Sequence, residues 1–419
     1  MPHNGLLTLM DSRLKPTLYL ICALADFAAF VVIFAVSRGL AEGHVEAWYL
    51  GVVGAGLSFS AGVGSILGGW LAHRFDGRII FVSGAVTICL SIAACGLGDH
   101  QSLLFLPGYW LLGFGLGFLY PPLIGWLNQG EDAHTNRRGV SRTLILYCVA
   151  WNVGMMCGQL TAGSLFSWGA SWTYGTAFSI AVVNVILALR AVRLVVPLSV
   201  ESIDRTTPEY EAQELAIAFK RLSWIANLGG MFGGSMVLHL LPDLAVAINV
   251  PPDDHGRLLA GWRIVIIATY LLMHYSAFWH YRVVTAVASQ VLAAIGLVVI
   301  ARAESAVTLF MGVALLGQLV GYNYFSGLFY STAGSSHSRR ALAAGIHEAT
   351  LAVGMAIGTI VGGVLGTLVN HRVPYLLAAA VLFVLIVVQT AAWWIWVRPL
   401  RQCPFSPPGK VRSSSPVSD

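Results

Sequence analysis

Twelve long apolar runs constrain this chain more than any other feature. They lie at 17–37, 48–72, 79–97, 103–128, 143–168, 172–195, 222–246, 258–278, 283–301, 304–331, 342–368 and 374–397. About 20 such residues, wound as an α-helix, cross the roughly 30 Å of hydrocarbon in a bilayer. In lipid, backbone N–H and C=O groups must pair within a helix or within a closed barrel. A barrel strand needs only about 10 alternating residues, so runs of this length read as helices. Composition excludes the soluble alternative. Of 419 residues, 57% are hydrophobic and 10% charged, against about 25% charged in soluble domains. A soluble fold of this size leaves too much surface in water to hide that apolar share. The sequence predicts an all-α membrane protein of twelve transmembrane helices.

Basic residues give the chain a direction. Most of the 24 Lys and Arg residues fall in connections on one side, among them Arg74, Arg78, Arg137-Arg138 and Arg339-Arg340. Arg38, Arg257, Arg263, Arg302 and Arg372 are assigned to the other side. By the positive-inside rule both termini are cytoplasmic, which requires an even number of spans. The same loop charges account for the net charge of +5, and nucleic acid is not expected as a partner. Residues 1–16 form a short mixed segment and no cleavable signal is evident. The expected domains are a six-helix bundle over 17–197, a polar cytoplasmic loop over 198–221, and a second bundle over 222–399. A Ser- and Pro-rich tail, 400–419, is expected to be disordered.

The two bundles carry a repeat. VGMMCGQLTAGSL at 153–165 and VGMAIGTIVGGVL at 353–365 agree at six of thirteen positions, and each follows an Arg-Arg pair. Five cysteines, at 22, 89, 95, 148 and 157, lie in apolar runs and read as small buried hydrophobes. No C-x-x-C spacing points to a metal. Pro251-Pro252-Asp253-Asp254-His255 reads as a helix N-cap with acids at its positive end rather than a metal loop. No G-x-x-x-x-G-K-[ST] occurs, so ATP-driven pumping by this chain is excluded. No cofactor is expected.

On these grounds the chain resembles the major facilitator superfamily over about 17–397. The local motif lies between the second and third spans, Gly69-Trp70-Leu71-Ala72-His73-Arg74-Phe75-Asp76-Gly77-Arg78. Gly69, Leu71, Ala72 and Arg74 match the family pattern in place, and Gly77 and Arg78 match after a one-residue shift. The family's aspartate is His73 here, with Asp76 three residues later as a substitute. The resemblance implies two pseudo-symmetric six-helix bundles that transport by alternating access, with His73, Arg74, Asp76 and Arg78 at a cytoplasmic latch. It also implies that helices one, four, seven and ten line the cavity, while two, five, eight and eleven join the halves. On helix five, Gly154, Gly158, Ala162 and Gly163 resemble an exporter motif, with Gln159 where proline would stand. Small residues at this spacing also let helices pack closely in lipid, so transport direction is left open.

Ionisable groups inside spans cost about 2.5–3.5 kcal/mol on insertion scales and so point to function. Asp26 lies near the middle of the first span, and His347 and Glu348 lie in the eleventh. A desolvated carboxylate can bind and release a proton as its surroundings change, so Asp26 and Glu348 are candidates for coupling or gating. Structural hydrogen bonding is the alternative for Asp26. For Glu348 it is a gate contact with an arginine such as Arg138. His347 is expected as the local partner of Glu348. Uncharged candidates for solute binding, alongside Asp26, are Asn152, Asn227, Gln318, Tyr322 and Asn323. Positions 318, 322 and 326 share one helix face. Pro121-Pro122 is expected to bend the fourth span. The leading function is a secondary active or facilitative carrier of a small organic solute, coupled to protons, acting as a monomer in the plasma membrane and not an enzyme. The alternatives are a non-transporting scaffold or sensor on the same fold, and a membrane-embedded lipid-acting enzyme.

Overall fold

A computed structural model describes residues 4–128, 137–195, 214–335 and 340–402. The expected disorder of the tail, most of the central loop and Arg339 lie outside the described residues. So do the side chains of His73, Arg137 and Arg138.

Among the described residues there are fourteen helices and no strand: α1 (Asn4–Glu42), α2 (Ala47–Arg74), α3 (Gly77–Leu97), α4 (Phe105–Asn128), α5 (Arg137–Trp168), α6 (Ala170–Ala191), α7 (Glu214–His239), α8 (Leu241–Ala247), α9 (Pro252–Tyr275), α10 (Val283–Arg302), α11 (Ala306–Ala333), α12 (Arg340–Leu368), α13 (Val373–Trp396) and α14 (Arg398–Gln402). Eleven are long and apolar enough to cross a membrane, and α7 with α8 makes a twelfth, bent by 46°. Pro242 explains the bend. Its ring removes a backbone donor and crowds the carbonyl four residues back, so the helix cannot continue straight. Pro121 and Pro122 produce no such break, since α4 continues past them to Asn128.

Local chemistry sets several boundaries. Asp76 caps α3, its carboxylate accepting from the Arg78 backbone N–H at 2.9 Å. Ser305 and Thr308 form a reciprocal capping box at the start of α11. The expected N-cap at 251–255 is corrected in detail: Pro251 occupies the cap position with no side-chain bond, and Asp253 and Asp254 fall in the first turn of α9.

Six spans build each half, α7 and α8 together making one of them, and glycines show how the halves correspond. On α5, a methyl at Gly154 would collide with the Ala23 carbonyl of α1, and one at Gly158 with that of Phe27. On α12, the same addition at Gly354 meets the Leu228 carbonyl of α7, and at Gly358 that of Phe232. Thus α5 packs on α1 as α12 packs on α7, and the sequence repeat is a repeat of packing. The seams between halves follow the same rule. Gly163 of α5 meets Pro252 and Gly256 of α9, and Gly363 of α12 meets Ala47 and Gly51 of α2. With no hydrophobic drive between helices in lipid, close backbone approach is what holds such seams together.

We call the end where α1 begins and α13 finishes the terminal face, and the opposite end the far face. At the far face the halves are tied repeatedly. The Trp48 backbone N–H donates to Thr367 Oγ1 at 2.9 Å, and Ser164 Oγ donates to Asp253 at 2.6 Å. Arg38 donates to the Val250 carbonyl at 2.9 Å. Beside it, the Phe34 ring lies 5.1 Å from that of His255.

Candidate functional site

Asp26 lies on α1, about 18 Å along the helix from Leu14, where the span begins. It is 1% exposed. Tyr120 of α4 donates its hydroxyl proton to the Asp26 carboxylate. Cys22, one turn earlier on α1, directs its thiol at the same hydroxyl at 4.0 Å. The Tyr120 bond offsets part of the cost of burying the carboxylate, about 1.5–3 kcal/mol for a hydrogen bond to a charged group.

The second half holds a counterpart. Tyr324 of α11 donates to Glu348 Oε1 of α12 at 3.2 Å. Tyr120 and Tyr324 each follow by three residues a glycine that packs the helix on its neighbour: Gly117 against α2, and Gly321 against α9. Each half therefore places one tyrosine hydroxyl on one carboxylate; the tyrosines stand at matched positions, whereas Asp26 is on α1 and the half-buried Glu348 is on α12, the counterpart of α5. Tyr324 also spans the halves, with its ring 5.2 Å from Trp151 of α5. On its own side it meets Tyr270 of α9 at 6.2 Å and His347 at 5.2 Å.

His347 does not partner Glu348, contrary to expectation. Consecutive helical residues point about 100° apart, and His347 turns instead to α7, where Asn227 Nδ2 donates to its Nδ1 at 2.9 Å. Both residues are fully buried. Gln318, Tyr322 and Asn323 also turn inward within the second half. Gln318 bonds the Ser289 hydroxyl and carbonyl of α10, each at 2.7 Å. Tyr322 shares a 2.9 Å bond with Thr285 of α10, and Asn323 donates to the Ala226 carbonyl of α7 at 2.8 Å. Tyr322, Asn323 and Ser326 line a narrow recess of about 20 Å³ with Arg282, Tyr330 and Gln389. That recess belongs to the second half alone. Asn152 of α5 donates to the Cys148 carbonyl of its own helix at 3.0 Å and lies against Tyr270.

In the loop motif, Asp76 is engaged locally. Beyond capping α3, it faces Arg78 Nε at 3.7 Å. Arg74 lies over the Trp70 ring at 5.3 Å. Among the described residues, these groups make no hydrogen bond or ion pair with the second half.

Arg263 is the residue that the sequence reading missed. The sequence counts it only as a charge on the non-cytoplasmic side, yet it sits inside α9, 3% exposed, and donates from Nε to Gln159 Oε1 of α5 at 3.3 Å. Arg38 was assigned likewise and is buried near the end of α1, where it pairs with Glu42 at 2.8 Å. The signal for Arg263 was available: it falls within the apolar run 258–278, where an arginine is costly and calls for a reason.

The sequence profile of the Major Facilitator Superfamily matches residues 18–333. A comparison with curated protein sequences finds no match. Among solved structures, the fold is similar to that of the POT family transporter PepTSo, at 12% identity and a TM-score of 0.74 over 92% of this chain and 98% of that one. It is also similar to the nucleoside transporter NupG, at 15% identity and a TM-score of 0.65 over 91% and 100%. A bacterial homologue of the human lysosomal transporter Spinster, inward-facing and unoccupied, gives 14% identity and a TM-score of 0.66 over 95% and 99%. Profile and fold agree: the chain belongs to the major facilitator superfamily and is a multi-pass membrane transporter.

Proposed function

We propose that the protein is a proton-coupled secondary carrier of a small organic solute, working by alternating access between bundles 17–197 and 222–399. One observation carries the reading: Asp26 is held at mid-depth by Tyr120, beside an interface whose backbones touch through glycines. A carboxylate in that place changes its charge at a cost that depends on which side water reaches, and that dependence is what coupling requires. Glu348 and Tyr324, where α11 meets α5 through the Tyr324–Trp151 contact, are assigned to gating. Asn152 and Asp26 are assigned to the solute. Both termini are placed in the cytoplasm, the protein in the plasma membrane, and the working unit as a monomer with no catalytic role.

The test uses the purified chain in lipid vesicles, with a solute found by its stabilisation of the folded protein. Wild type accumulates that solute when a pH gradient is imposed. Asp26→Asn exchanges solute across the membrane but no longer accumulates it. Undiminished proton-driven accumulation in Asp26→Asn removes Asp26 from coupling, and absence of both modes in wild type removes the carrier reading.

A further inference from the structure

A buried arginine stands in the seam between the halves with no carboxylate in contact with it among the described residues. Arg263 lies about 16 Å along α9 from Pro252, so it sits deep in the span. Its guanidinium rests 5.1 Å from the Phe30 ring of α1 and 4.4 Å from that of Trp262. Arginine carries five N–H donors in a planar fork. Only Nε has a described acceptor, Gln159 Oε1. Among the described residues no carboxylate comes within 4.0 Å of the fork. Asp26 is close enough for the two charges to act on each other, yet its carboxylate is held by Tyr120. Glu348 is held by Tyr324 and His347 by Asn227.

The surroundings have the character of a binding wall. Tyr270, two turns along the same face of α9, continues the aromatic surface toward Tyr324 and Trp151. A buried charge with no opposite charge in contact is costly to keep. A forked guanidinium matches a carboxylate in shape and charge better than any neutral group.

The geometry points to Arg263 as the anchor for the anionic group of the transported solute, an organic carboxylate whose apolar body lies on Phe30, Trp262 and Tyr270. This rests on the carrier reading and narrows its substrate class.

The experiment measures thermal stabilisation of the purified full chain by benzoate and hexanoate, against benzamide, hexanamide and benzylamine. The acids stabilise wild type and the amides and amine do not. Arg263→Gln weakens the acids roughly ten- to a hundredfold, the range expected for losing a hydrogen bond to a charged group. Arg263→Lys recovers part of the loss, since it restores charge without the fork. The elution profile and unliganded melting temperature of Arg263→Gln establish that it folds. The inference is overturned if neither acid stabilises wild type, if the amides or amine stabilise it equally, or if the acids act undiminished on a folded Arg263→Gln. Proton-driven accumulation of a neutral solute would overturn it while leaving the carrier reading intact. Arg263-dependent acid binding with no vesicle transport of any solute would remove the carrier reading and leave Arg263 as a carboxylate-binding site only.

Discussion

At the scale of single residues, the two tyrosine–carboxylate pairs matter most, because each hydroxyl is the described donor to an acid within a span, Asp26 buried and Glu348 half-buried. Tyr120→Phe leaves Asp26 in place and removes that donor. A hydrogen bond to a charged group contributes about 1.5–3 kcal/mol, and losing one partner inside a protein forfeits it. Tyr120→Phe should therefore slow proton-coupled accumulation by more than tenfold while solute exchange persists, as initial rates in vesicles would reveal. Equal rates for mutant and wild type would make the pair a packing contact only. Asp26 and Glu348 were legible in the sequence because a carboxylate stands out in an apolar run. Their partners were not. Tyr120 and Tyr324 look in sequence like any aromatic residue of a span, and which hydroxyl meets which acid is decided by contacts across 94 and 24 residues. Gln318 and Tyr322 misled for a related reason. Their spacing gave a shared face correctly, but spacing says nothing of whether that face looks toward the other half or toward α10.

At the scale of helices, the sequence was more informative. Length and hydropathy place a span within a few residues, since the bilayer sets the length and each run ends at polar residues. The break in α7 was missed because Pro242 sits near the end of an apolar run that continues past it. The paired glycines were legible as a repeat, though their partners were not. Their energetic role can be separated from glycine's general cost in a helix. At Gly154 an added methyl meets the rigid carbonyl of Ala23, which no rotamer change can relieve, whereas at Gly175 of α6 nothing lies within 4 Å. Gly154→Ala should lower stability by about 1–3 kcal/mol, as overpacking does. Gly175→Ala should raise it by roughly 0.5–1 kcal/mol, since alanine gives up less backbone entropy. Thermal unfolding of the two variants beside wild type checks this, and a loss at Gly175 as large as that at Gly154 would remove the packing argument.

At the scale of the whole molecule, the hydrogen bonds described between the halves gather at the far face, with Arg263–Gln159 deeper in the α5–α9 seam. The ring contact of Trp151 with Tyr324 lies on the terminal-face side of that level, where α5 is still short of its midpoint. Two bundles tied at one end can rock about that tie, and transport by alternating access requires the tie to release once per cycle. A covalent bond across the far face should therefore stop transport without unfolding anything. Ala47 and Gly366 provide the place, because a Cβ built on Gly366 falls 2.8 Å from that of Ala47. Disulfide-bonded residues hold their Cβ atoms about 3.5–4.5 Å apart, so a small parting of α2 and α12 accommodates the bond. The double variant Ala47→Cys and Gly366→Cys should transport when reduced, lose transport when oxidised, and regain it on adding a thiol reductant. Each single variant should be indifferent to oxidant, because the five native cysteines described are free and lie in the spans. Solute binding measured from the terminal side should survive oxidation, since that face is left untouched. If the oxidised double variant, with its cross-link confirmed by mass, carries solute as fast as the reduced one, the far face is not a gate, and the bundles do not move as alternating access demands.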